Sequence, residues 1–329
     1  MIFHLNPAGV RVAQLAVIVV LLAGISSLTF AADPPQDARG FVRGVVANEV
    51  AADANDHSRW MYRDEDGVPG KGTVKLVIQT AQGDLSKIIE RDGQPLPPQE
   101  QKDDERRMDA FVQDEDLRQK QKHNHEQDAE KASALTKMLP DAFLWSIAEQ
   151  NGATTTLKFK PDPSFDPPTR ESRVFAAMAG TMVVNTGQKR LEQLKGMLTR
   201  DVTFGYGLLG KLQKGGTFAI ARQEIAPGVW AITATHVHIH GHALIFKSID
   251  EEQDEVSSHY HPTPSSLSLV DAAKMLKTAQ PPAPCNEEDG NGAVSTAPQI
   301  SELYGDRDSQ AADLALFVLT GCTLRISFS

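Results

Sequence analysis

Arg190-Leu191-Glu192-Gln193-Leu194-Lys195-Gly196-Met197-Leu198-Thr199-Arg200-Asp201-Val202-Thr203-Phe204-Gly205-Tyr206 is the stretch that decides the class of fold. Side chains of a strand alternate between its faces. Counting by two puts Leu194, Leu198, Val202 and Phe204 on one side and Lys195, Thr199, Asp201 and Thr203 on the other. The alternation predicts one long strand over Arg190–Tyr206 in an antiparallel sheet, with one face on a core and one toward water.

The neighbours on both sides agree. Thr154–Lys160 reads as a strand closed by Pro161-Asp162-Pro163 and Asp166-Pro167-Pro168, whose prolines cannot donate to a ladder. Arg170–Met178 reads as a short helix and Gly180–Val184 as a strand, with Asn185-Thr186-Gly187 as a turn. Downstream, Gly215–Ile225 and Val229–Ile249 form a hairpin across Ala226-Pro227-Gly228, and Glu255–His261 is the last strand. Upstream, Asp37–Ala54 carries Phe41, Val45, Val46 and Val50 near helical spacing. Ser58–Asp64, Gly72–Thr80 and Asp84–Glu90 follow as a meander, with Val74, Leu76 and Ile78 sharing one face of its second strand. The pattern as a whole is α+β, a curved antiparallel sheet with a few helices.

Two segments resist this pattern. Pro97–Lys131 is rich in Gln, Asp, Glu, Lys and Arg and nearly free of apolar residues, either an exposed charged helix or a mobile excursion. Ala132–Gln150 regains helical spacing through Leu135, Met138 and Leu139 as far as Pro140. Phe143, Leu144, Trp145 and Ile147 then read as the start of a strand. After Pro262 the chain becomes Pro281-Pro282-Ala283-Pro284 and a linker over Asn286–Ala297, ending in the apolar stretch Ala311–Ser329. The organisation expected is therefore a signal over 1–31, a domain over 32–262 with the charged excursion 97–131, and a linker and tail over 263–329.

The signal rests on Arg11, the apolar run Val12–Ala23 and the small residues around Thr29 and Ala31, a Sec-type pattern. The run is shorter than the roughly 20 residues of a spanning helix. An exported, periplasmic chain with no stable transmembrane span after cleavage is expected. Its loss removes Arg11 and no acid, moving the formal net charge from −10 to one more negative. An acidic chain without a basic cluster argues against nucleic acid. Cys285 and Cys322 either pair in an oxidising compartment or remain two thiols.

Further marks carry a family likeness: the turn Arg91-Asp92-Gly93-Gln94-Pro95-Leu96, then Phe159-Lys160-Pro161, Thr169-Arg170-Glu171-Ser172-Arg173, Gly180-Thr181-Met182-Val183-Val184-Asn185 and His242-Ala243-Leu244-Ile245-Phe246-Lys247. Over about Asp37 to His261 the chain resembles secreted bacterial proteins related to the outer-membrane lipoprotein-sorting proteins, the LolA/LolB-like fold shared by the sensor domain of the MucB/RseB regulators. The resemblance implies a half-barrel of antiparallel strands with helices packed over its concave face and an apolar cavity between them. In characterised relatives that cavity receives acyl chains or serves envelope signalling. The charged excursion and the region after Pro262 depart from the simple carriers, and no family site residue transfers to a position here.

The local feature with most chemistry is His236-Val237-His238-Ile239-His240-Gly241-His242. On a strand His236, His238, His240 and His242 share a face, and such pairs can hold zinc, copper or nickel. His259 and His261 complete a site only in the right register, and His123-Asn124-His125 is a third pair. The plainer reading is the polar half of an amphipathic strand, with adventitious transition-metal binding and no true cofactor. No Gly-x-Ser-x-Gly elbow, His-Glu-x-x-His helix or phosphate loop occurs, and Gly205–Gly210 lacks the acidic residue a dinucleotide fingerprint needs. The function expected is non-enzymatic: a cell-envelope protein holding a lipid or acyl chain against Leu194, Leu198, Val202 and Phe204. The alternatives are a sensor or interaction module with a protein partner, and a metal-binding protein built on the histidine strand.

Overall fold

The computed structural model describes residues 37–67, 71–204, 210–243 and 247–279, with side chains omitted over 243–251. The signal over 1–31, the two cysteines and the stretches 281–284, 286–297 and 311–329 lie outside the described residues, as does most of Gly205–Gly210. Among those described, the fold is α+β: thirteen strands in one open, curved antiparallel sheet with five helices, a half-barrel.

The first helix, α1 (Ala38–Asn55), buries Ala38, Val42, Val45, Val46 and Glu49, a stripe at helical spacing. Three strands follow as a meander: β1 (Trp60–Asp66), β2 (Thr73–Thr80) and β3 (Gly83–Arg91), with the short β4 (Gln94–Pro95) at the edge. The charged excursion is two helices, α2 (Pro98–Gln113) and α3 (Glu115–Ala142), not a mobile loop. Asp114 separates them and caps α3 by accepting from the Leu117 N–H at 3.1 Å. Pro140 lies inside the last turn of α3 and the chain enters β5 (Phe143–Gln150) directly.

From there β6 (Thr154–Pro161), α4 (Arg170–Phe175), β7 (Met178–Asn185) and β8 (Arg190–Leu198) lead back toward the middle of the sheet. The single strand expected over Arg190–Tyr206 is divided, with β9 restricted to Val202–Phe204. Thr199 donates from both its N–H and its hydroxyl to the Ala177 carbonyl, and Asp201 accepts from the Lys214 N–H at 2.8 Å. Those bonds turn the chain, so β9 pairs with β10 (Gly210–Leu212) instead of continuing the β8 ladder. Two long hairpin strands and their predecessor complete the sheet: β11 (Thr217–Ala226), β12 (Val229–Ala243) and β13 (Lys247–Pro262).

The order across the sheet is β4-β3-β2-β1-β13-β12-β11-β8-β7-β6-β5. First and last strands are paired in the centre, so α2 and α3 must carry the chain from one edge to the other. The main core gathers α1, the C-terminal half of α3 and α4 against the strands, around Phe143 with Phe159 at 4.7 Å and Phe175 at 4.9 Å. A second core joins Leu76, Ile78 and Leu85 to Met108 of α2 and to α5 (Leu269–Thr278). Tyr62 and Val77 pair on one face and Met61 and Ile78 on the other, so this second core covers the side away from α1. Helix α5 falls in the segment after Pro262, whose structure the sequence leaves open; Leu269, Ala272, Ala273 and Leu276 give it a buried stripe.

Strands β7 and β8 approach closely at Gly180. A Cβ at Gly180 would lie 1.9 Å from the Lys195 carbonyl oxygen. Gly180→Ala is therefore expected to destabilise by about 1–3 kcal/mol or more, checked by urea unfolding; an unchanged midpoint would show that the backbone there yields freely.

Candidate functional site

Between α1, α3 and the concave sheet lies a cavity of about 510 Å³, within the range of ligand sites, roughly 300–1,000 Å³. Its wall is apolar on one side: Leu135 and Leu139 from α3, Phe175 from α4, Leu191 and Leu194 from β8, and Ile220 from β11. Toward β1 and β13 it becomes polar and aromatic, with Trp60, Tyr62, Tyr260, Thr233, Thr235, Ser257 and Glu255. Tyr62 stacks on Tyr260 with ring centroids 5.1 Å apart, and Trp60 meets Tyr260 edge-on at 6.3 Å.

Two irregularities shape this floor. The β11–β12 register passes from Ala221–Ala234 to Arg222–Ile232, leaving Thr233 as the extra residue of a bulge. Thr233 is 3% exposed and its Oγ1 has no hydrogen-bond partner, and the neighbouring Arg222 Nε is also buried and unpartnered. A buried polar atom without a partner costs about 1–3 kcal/mol. The second irregularity lies between β1 and β13, where His259 sits at φ 56° within a register shift. The left-handed region is uncommon for side chains other than glycine, though histidine enters it more readily than most. Tyr260 follows, and its hydroxyl donates to the Ile232 carbonyl at 3.1 Å.

One end of the cavity is a buried ion cluster. Glu49, 3% exposed, accepts at Oε1 from Arg190 Nε at 3.0 Å and from the Leu191 N–H at 2.6 Å, while Arg222 Nη1 donates to its other oxygen. Arg222 Nη2 reaches the Trp230 carbonyl at 3.3 Å and Asp53 at 3.5 Å, and the Arg190 guanidinium lies 5.8 Å from the Trp230 ring centroid. Burial pushes the Asp53 carboxyl up against the opposing pull of Arg222. At the other end burial, reinforced by the like charges of Asp64 and Asp66, pushes Glu255 up to about 7 although Lys75 opposes it. Burial pulls Lys75 down, but Asp64, Asp66 and Glu255 outweigh it and its pKa rises.

The apolar residues expected to face a ligand separate on this evidence. Leu194 lines the cavity; Leu198, Val202 and Phe204 are packed into the main core beside it, at 0, 1 and 5% exposure. They hold up the wall rather than form its surface; for Val202 and Phe204 the cause is the bend at Thr199, which carries β9 toward β10.

The histidines do share one face of β12, opposite Val237 and Ile239, which are buried in the main core. The His236 and His238 rings are 6.4 Å apart and those of His238 and His240 4.8 Å. Their cross-strand partners on β13 are Asp254, Glu252 and Asp250, with Ser248 opposite His242. His236 Nδ1 is hydrogen-bonded to the Asp254 carboxylate. The pattern is a ladder of histidines against acids, and no three His, Cys, Asp or Glu side chains converge as a metal site among the described residues. His261 pairs with Met61 of β1 and His259 lies in the bulge, both beyond the histidine ladder. His123 and His125 are on α3, where a spacing of two does not share a face; His125 alone lines the cavity.

Trp60, Tyr62, Thr233, Glu255 and Tyr260 escaped sequence reasoning. The available signal was the alternation Trp60-Met61-Tyr62-Arg63-Asp64-Glu65-Asp66, which places two aromatics and two acids on one face of a central strand. No helix among the described residues is long and apolar enough to cross a membrane. Compared with protein-family models, with curated proteins and with solved structures, the chain matches none of them.

Proposed function

We propose that the protein is a non-enzymatic binding protein of the cell envelope, exported to the periplasm, that holds an amphipathic ligand with an apolar chain in the cavity between α1, α3 and the sheet. The observation that carries this reading is the cavity's division into an apolar wall and a floor with two buried, unpartnered polar atoms. An acyl or alkyl chain would lie along Leu135, Leu139, Leu194 and Ile220, and an attached polar group would meet Thr233 and Arg222. A kinship with the lipoprotein-sorting half-barrels belongs to the same proposal, and the helices over the concave face support it.

Thr235 sits at the centre of the floor, paired with Ile220 on one side and Glu255 on the other. Thr235→Phe fills the empty space there. With a decyl-chain alcohol as probe, titration calorimetry is expected to show binding to the native chain and a loss of at least about tenfold in the variant, with its melting transition retained, since one displaced ring-sized contact is worth a few kcal/mol. Equal binding by both proteins would place the ligand elsewhere.

A further inference from the structure

We propose that the convex face of β5, β6, β7 and β8 docks on a bilayer surface bearing anionic headgroups. The inference is independent of the cavity, which lies on the opposite side of the sheet. Leu157, Phe159, Met182, Leu194 and Leu198 belong to the main core, so the residues alternating with them face away from α1 and α3. Ladder register sets those residues in two rows. One runs from β5 to β11 through Ser146, Lys158, Thr181, Lys195 and Ala219. The other holds Leu144 opposite Lys160, with Ala179, Met197 and Thr217 in line on the following strands.

These ten residues include Lys158, Lys160 and Lys195 and no acid, in a chain whose formal net charge is −10. Lys158 and Lys160 are exposed. With them stand two of the large apolar side chains that reach solvent, Leu144 at 39% and Met197 at 47% exposure. The helices on this side of the sheet, α2 and α5, pack on β2 and β3 and leave β5–β8 uncovered among the described residues. The carboxylates stand at the margins. Glu149 lies near the end of β5, and Glu192 accepts from Asn185 at 3.0 Å. Asp254 and Glu252 continue the rows beyond β11 and face His236 and His238.

The side chains decide the partner. A protein carboxylate is best met by the planar fork of arginine, and the two rows hold none. Lysine is a compact point charge on a flexible stem. The stem lies along apolar surface while the ammonium reaches a headgroup phosphate, and no fixed geometry is required. Leu144 and Met197 supply the apolar area that an interfacial contact buries beside such charges. Salt screens exposed charges beyond about 8–10 Å, so this face, and not the acidic chain as a whole, sets the attraction.

The test is flotation of the purified chain with vesicles of phosphatidylcholine alone and of phosphatidylcholine mixed with equimolar phosphatidylglycerol, at low and at physiological salt. Binding to the anionic vesicles, weakened by salt and absent with phosphatidylcholine, is expected. Lys158→Gln and Lys160→Gln are each expected to lower the partition coefficient about fivefold with the melting transition retained, and Leu144→Ser to lower it further. Lys122→Gln, at an exposed position on α3, removes the same charge from elsewhere and is expected to leave partitioning unchanged. An equal loss in Lys122→Gln would overturn the assignment to this face. Flotation with neither vesicle would overturn the bilayer, and retention on immobilised polyglutamate would then assign the face to an acidic protein. Each of these outcomes leaves the decanol test of the cavity untouched.

Discussion

Glu49→Ala is expected to lower stability by about 3–5 kcal/mol, the cost of stranding buried charge when one partner of an ion pair is removed. Glu49 is the acceptor for Arg190, Arg222 and the Leu191 N–H. Its loss leaves Arg190, with a side chain 7% exposed, and Arg222, 12% exposed, without their common carboxylate. It also opens the joint between α1 and β8, which closes one end of the cavity. Urea unfolding followed by far-UV circular dichroism measures the change. A loss below about 1 kcal/mol, the scale of an exposed pair, would mean that water reaches this cluster and that the cavity end is not sealed.

Glu255→Gln is expected to act in the opposite direction, and only above acidic pH. A carboxyl held at about 7 in the folded chain against an ordinary 4.5 is protonated in the native state and ionised in the unfolded one across that interval. The native state then binds the extra proton, so stability falls as pH rises from about 4.5 to about 7 and is level beyond. The full interval corresponds to about 3 kcal/mol. The ligand-free glutamine variant should therefore be the more stable protein at pH 8, by an amount of that order, and should converge on the native chain near pH 4.5. Melting temperatures at several pH values check it. A constant difference between the two proteins would show that Glu255 is solvated and not confined by Asp64 and Asp66.

The curved antiparallel sheet was legible because period-two alternation survives in nearly every strand. Thr73–Thr80 and Gly83–Arg91 fall within a residue or two of their expected limits. Helices α2 and α3 were ambiguous for a physical reason: the chain from Pro98 to Lys131 has few apolar residues, and its order depends on docking bonds that leave no periodic trace. Asp104 accepts from the Ile88 N–H at 3.0 Å, and the Arg107 guanidinium donates to the Ser86 carbonyl at 2.6 Å. The division of Arg190–Tyr206 was hidden because the bend at Thr199–Asp201 preserves the alternation on either side.

The candidate site was less legible than the fold. Leu194 was accessible to pattern because it is both core and cavity wall. Thr233 and Tyr260 depend on bulges, one of them through the positive φ of His259, and a bulge changes the face a residue takes without changing its composition. The histidine strand stood out in the sequence because its residue types are rare together. In the fold His236 is engaged by Asp254 of the neighbouring strand. Glu255, one position along the same strand, points to the other face and into the cavity wall, which no count of acids in an acidic chain could single out.

The most direct measurement is native mass spectrometry of the protein purified without detergent or histidine tag, with organic extraction of the same sample. A discrete added mass that extracts as an amphiphile, and that disappears in Thr235→Phe, is the result the cavity account requires. A bare polypeptide mass that also takes up no added decyl-chain probe would contradict it.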